Sequence, residues 1–102
     1  MILARVVGTV VATRKDPRLE GKKLLIVKPV SPEPGGGLKD ESGYIVSVDT
    51  VSAGNRELVI VVAGSSARMA EGCNNNPVDS AIIGIVDSLS LDEPLPAKNK
   101  KN

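Results

Sequence analysis

The sequence predicts an all-β barrel, and three observations carry that prediction. Its apolar side chains are almost entirely Val, Ile, Leu and Ala, with Phe and Trp absent and Tyr44 the only aromatic, an inventory that suits pleated, half-buried strands. Short runs alternate side chains from face to face with a period of two. Connections bearing Gly and Pro separate those runs. Five short strands and one small helical element on 102 residues fit a five-stranded Greek-key barrel. It occupies a single domain over residues 1–91, followed by a flexible basic tail over 92–102.

The first strand puts Ile2, Ala4, Val6, Gly8, Val10 and Ala12 on a core side and leaves Arg5, Thr9 and Thr13 on the other. Arg5 breaks the opening apolar run, so this segment reads as a strand rather than a signal peptide. A charged connection with Pro17 and Gly21 leads to a second strand, Leu24 to Val30, in a hairpin or meander. The stretch SPEPGGGLKDESG, residues 31–43, combines two prolines, three consecutive glycines and several charges, which predicts an exposed loop. The glycines are not a phosphate loop: no GK[ST] and no helix start follow them.

A third strand is expected from Tyr44 to Val51 and a fourth from Glu57 to Ala63, joined by SAGN, where Gly54 and Asn55 accept positive φ. After Gly64, Ser65 or Ser66 caps a helical turn through Ala67, Met69 and Ala70, which Gly72 closes. Pro77 keeps Asn76 out of helical geometry ahead of a last strand, Ala81 to Leu91, with Ile83, Ile85, Leu89 and Leu91 in phase on its core side. The fourth strand, LVIVVA, has apolar residues on both faces. A small domain covers only one of them, so the other needs a neighbour, and the chain reads as a subunit of an assembly.

Composition narrows function. The formal net charge is +1 with no basic cluster in the body, and one tyrosine does not make the aromatic platforms that single strands stack on. An OB-type single-stranded nucleic-acid-binding module is the alternative reading, and nucleic acid is an unfavoured partner. Histidine is absent, which removes the usual general base, and Cys73 is alone, so neither an internal disulfide nor a Cys-rich zinc site is expected. Ser65 and Ser66 are nucleophiles only if a lysine or carboxylate serves as base, whereas serine at a cap is ordinary. The expectation is a protein that is not an enzyme and carries no cofactor and no metal. No apolar stretch has the length of a membrane helix, so a soluble, cytosolic chain is expected.

Charged residues that border strands hold most of the interest: Asp49, Glu57, Arg68, Asp79 and Asp87. A charge buried there needs a partner, and the planar fork of Arg68 suits a carboxylate or carbonyl across an interface. Three blocks, ARVVGTVVATRKDPRLEGKKLLIVKPV, VDTVSAGNRELVIVVAGSSAR and PVDSAIIGIVD, closely resemble the EutN/CcmL family of bacterial microcompartment vertex proteins, in the family's order and over most of the chain.

The resemblance implies an OB-like barrel that assembles into a cyclic pentamer and plugs the five-fold corners of a cytoplasmic microcompartment shell. Hexameric shell proteins would be its neighbours. On the matching positions it implies that Asp49, Ala53, Gly54, Glu57, Gly64, Ser65, Ser66, Ala67, Arg68, Pro77, Asp79 and Asp87 are candidates for the subunit interface or the pore. Two positions depart from the family pattern, Ser52 and Arg56, where glycine is common.

Overall fold

The computed structural model describes residues 1–13, 15–64, 67, 70 and 79–93. Strands β1 (Ile2–Val10), β2 (Lys23–Pro32), β3 (Leu38–Asp40), β4 (Ile45–Asp49), β5 (Leu58–Ala63) and β6 (Ser80–Ile85) account for its regular structure, with one 3₁₀ turn at Pro17–Leu19. The strand order is β1-β5-β6-β4-β2, and β2 returns to pair with β1, so five strands close a barrel while β3 hangs on the far end of β2. All pairings are antiparallel except β4 with β6, a short parallel seam at Val48↔Ala81 and Asp49↔Ile82.

Ile2, expected on the core side of β1, is 40% exposed at the strand's open end, but the alternation read there holds for Ala4 and Val6, which are buried. They meet Leu25, Val27, Val59, Val61, Ile82 and Ala53 in the barrel interior. A bulge at Val7 lets β1 and β2 curve, and Gly8 sits so close to Ile26 that an added Cβ would lie 3.3 Å from its Cδ1. Outside the barrel, a second cluster of Val48, Val62 and Ala81 is covered by Ala67 and Ala70, with Leu19 and Leu24 alongside. Leu19 is delivered by the 3₁₀ turn. There the carboxylate of Asp16 accepts from the Arg18 main-chain N–H and side chain, chiefly the latter, and is held down at a pKa of about 2.

Three expectations are corrected. The stretch 31–43 is not all loop: β2 runs on to Pro32 and pairs with β3 (Ser31↔Lys39), and the Gly35, Gly36 and Gly37 run, all at positive φ, makes the reversal. The last strand stops at Ile85, because its partner β5 begins at Leu58, and only the Val86 N–H still reaches the Leu58 carbonyl. Its core side is not the Ile83, Ile85, Leu89 and Leu91 set, all of which are exposed; Ile82, in the opposite phase, enters the core. A register shift between Ile60 and Val61, where β5 skips from Gly84 to Ile82, puts Ile83 out of the ladder.

The third correction concerns the SAGN turn. Positive φ falls on Ser52 (59°), the first residue of that turn, and on Arg56 (71°), which follows it, and not on Gly54 or Asn55. These are the two positions where the sequence departs from glycine.

Candidate functional site

The segment from Asp49 to Glu57, which joins β4 to β5, is the most heavily fastened loop among the described residues. Cross-strand pairing places Asp49 opposite Lys23 at the end of β4. From there Asp49 turns its carboxylate into the loop that follows, where one oxygen accepts from Val51 N–H at 3.0 Å and the other from Ala53 N–H at 2.9 Å. Charge-assisted bonds of this kind are about twice as strong as neutral ones.

Further contacts tie the same loop to the barrel. Thr50 gives both its hydroxyl (2.7 Å) and its N–H (3.3 Å) to the Ile82 carbonyl. The Lys23 ammonium donates to the Ala53 carbonyl at 3.4 Å, and the Ala53 methyl enters the interior. At the far end, Glu57 Oε1 accepts from Gly54 N–H at 2.5 Å, while Arg56 N–H donates to the Val6 carbonyl and Val6 N–H to the Glu57 carbonyl. An Asp at one end and a Glu at the other thus act as caps for a loop that encloses a buried alanine.

The remaining candidates fall in two places. Gly64 takes up a φ of 66° at the end of β5 and donates its N–H to the Asp79 carbonyl at 2.9 Å, closing the mouth between β5 and β6; Ala67 is buried in the outer cluster. The Asp79 and Asp87 side chains are exposed at either end of β6. Ser65, Ser66, Arg68 and Pro77, together with Cys73, lie outside the described residues. The structure therefore brings Asp49, Ala53, Gly54 and Glu57 together in one loop and Gly64 and Asp79 in another, while Asp87 follows Val86, whose N–H meets the carbonyl of Leu58 just beyond Glu57.

Beside Gly64 and Asp79 lies an apolar groove of about 480 Å³, lined by Met1, Ile2, Tyr44, Val46 and Ala63 among others. Met1 is 85% exposed, Tyr44 69% and Val46 50%, a concentration of uncovered apolar surface at one end of the barrel. Sequence reasoning missed the bonded hydroxyls beneath it: Ser47 and Ser80 are buried with their oxygens 2.6 Å apart, joining β4 to β6 just where their parallel pairing begins. The signal was a serine at an inward position of β4, in phase with Ile45. Also missed was the pairing of Arg5 with Lys28 across β1 and β2.

Comparisons with known proteins agree on one group. The family model described as ethanolamine utilisation protein EutN/carboxysome matches residues 1–87. The chain is 50% identical over 90 residues to the bacterial microcompartment shell vertex protein PduN of Salmonella typhimurium, covering 88% of this chain and 99% of PduN. It is 41% identical over 92 residues to the carboxysome shell vertex protein CcmL of Synechococcus elongatus, covering 90% and 89%. The solved structure of the GrpN pentameric microcompartment shell protein from Rhodospirillum rubrum superposes with a TM-score of 0.78 at 43% identity, over 89% of this chain and 99% of that one.

Proposed function

This chain belongs to the EutN/CcmL family, and from that premise we propose that it is a structural, non-catalytic subunit of a bacterial microcompartment shell, working as a pentamer at the five-fold vertices. The observation that carries the reading is the match, over 89% of the chain, to a pentameric shell protein at 43% identity. The mechanism is geometric. Hexagonal tiles alone form a flat sheet, and a polyhedron closes only when five-fold units occupy its corners. A ring of five needs two unlike, complementary surfaces on each subunit, because a head-to-tail contact joins different patches.

The barrel is suited to that task. Its interior is filled with aliphatic side chains, while apolar residues at the β4–β5–β6 mouth remain uncovered in the single chain and gain from a neighbour. Asp49, Ala53, Gly54 and Glu57 of the β4–β5 loop and Gly64, Ala67 and Asp79 near the end of β5, with Ser65, Ser66, Arg68, Pro77 and Asp87, are our candidates for the ring contact or the opening at its axis. Asp49, Glu57 and Ala53 serve it indirectly: the two carboxylates and the buried methyl fix the loop's shape. Residues 1–91 form the barrel domain and 92–102 a basic tail in this reading.

Hexameric shell proteins of the same compartment are the proposed neighbours, and the bacterial cytoplasm the location. Among the described residues no helix is long and apolar enough to cross a membrane. Nothing in the comparisons favours a nucleic-acid-binding role. Deleting the gene and imaging the compartments by electron microscopy tests the proposal: open or elongated shells are expected, and sealed corners of normal shape would overturn it.

A further inference from the structure

On the outer face of β1 and β2, Arg5 stands directly opposite Lys28. Like charges in facing positions of an antiparallel pair are destabilising, since the side chains share one face a few ångströms apart. A third cationic residue lies next to them in the fold. Arg5 Nη1 donates to the Arg56 main-chain carbonyl at 3.0 Å, which holds the Arg56 backbone beside Arg5, and the Lys28 ammonium is held 4.6 Å from the centre of the Tyr44 ring.

No carboxylate of a described residue pairs with any of the three. The nearest acid in sequence, Glu57, turns its Oε1 to Gly54 N–H instead. Arg56 adds a second cost at the same spot, because it holds a φ of 71° that side-chain-bearing residues adopt at a penalty. Two unfavourable features thus meet in one patch of the free chain, and among the described residues only the Arg56 carbonyl and the Tyr44 ring, neither of them an anion, face these cations. Such a concentration is characteristic of surfaces shaped for a partner.

We propose that Arg5, Lys28 and Arg56 form a docking site for a carboxylate-bearing segment of a neighbouring shell protein. The partner is acidic peptide and not nucleic acid: the one ring available for stacking, Tyr44, already has Lys28 over it, and three cations do not make a backbone-tracking groove. Guanidinium forks suit paired carboxylate oxygens, and among the described residues the side chains of the two arginines make a single hydrogen bond, from Arg5 to the Arg56 carbonyl. The inference rests on the shell reading for the identity of the partner, but not for the chemistry of the site.

The test uses the full chain, a fluorescein-labelled hexaglutamate peptide, and a labelled oligothymidylate of equal charge. Peptide binding seen by anisotropy at low salt, weakening as salt rises and exceeding that of the oligothymidylate, is expected. Arg56→Gly is the informative variant because it removes a cation and relieves the backbone at once. It should raise Tm while weakening the peptide by about three- to fivefold, with the oligomer mass unchanged.

Lys28→Gln should weaken the peptide to a similar degree. Peptide affinity unaltered in both variants overturns the proposal, as does tighter oligothymidylate binding or loss of the oligomer in Arg56→Gly, which would place the patch inside the ring. A monomeric parent that still binds the peptide contradicts the shell reading and supports the docking site. A pentameric parent indifferent to the peptide sinks the docking site alone.

Discussion

Replacing Asp49 with alanine is expected to cost about 3 kcal/mol of stability. The carboxylate accepts two main-chain N–H groups, from Val51 and Ala53, and Ala53 is only 1% exposed. Truncation leaves the Ala53 donor with no side-chain acceptor in a buried setting, which costs about 1–3 kcal/mol, and the half-buried Val51 donor adds about half as much. Asn at this position keeps one oxygen and should lose roughly half of the total. Glu57→Ala removes a single bond to Gly54 N–H, which is exposed and regains water, so its cost stays near 1 kcal/mol.

Urea denaturation at one fixed protein concentration is the assay, because ring formation couples to folding and makes the midpoint concentration-dependent. With a slope of about 2 kcal/mol per molar urea, Asp49→Ala moves the midpoint down by about 1.5 M. A shift under about 0.5 kcal/mol, or a larger loss in Glu57→Ala than in Asp49→Ala, would refute the assignment of Asp49 as the principal fastener of this loop.

Ser52→Gly should stabilise the chain by about 0.5 kcal/mol, because relief of a left-handed serine outweighs the extra entropy of an unfolded glycine; thermal scans should show Tm higher by about 2–4 °C, and a fall would count against it. For Asp16, whose pKa is lowered from 3.8 to about 2 by Arg18, the folded chain favours the ionised form. Its contribution is therefore complete above about pH 4 and disappears as pH falls through about 2, which a carboxyl-carbon NMR titration of wild type and Arg18→Ala should show as a midpoint that rises in the variant. Arg68→Ala is expected to lower the pentamer fraction in sedimentation more than it lowers the barrel's urea midpoint; equal losses would assign Arg68 to the fold.

The β1 phase was legible because a strand with one buried face must keep its apolar set in register, and Ala4 and Val6 obey that rule. β6 was misread for a related reason. Alternation says which residues share a face, not which face is inward, and Ile83 and Ile85 look like core when they are uncovered surface. β3 escaped detection because three charged or partly exposed residues have no strand signal of their own; they are ordered by pairing with the extension of β2.

At the candidate site, Asp49 and Glu57 stood out as charges at strand ends, and both prove to be caps. Propensity placed positive φ on Gly54 and Asn55, yet closure of the loop onto Val6 and Asp49 imposes it on Ser52 and Arg56. The facing pair of Arg5 and Lys28 depends on the β1–β2 register beyond the Val7 bulge, which no single segment encodes.

Native mass spectrometry of the intact protein tests the central claim most directly. Five chains of 10.6 kDa predict one dominant species near 53 kDa that persists on dilution. A stable 10.6 kDa species across working concentrations, with the apolar mouth of the barrel left in water, would contradict it.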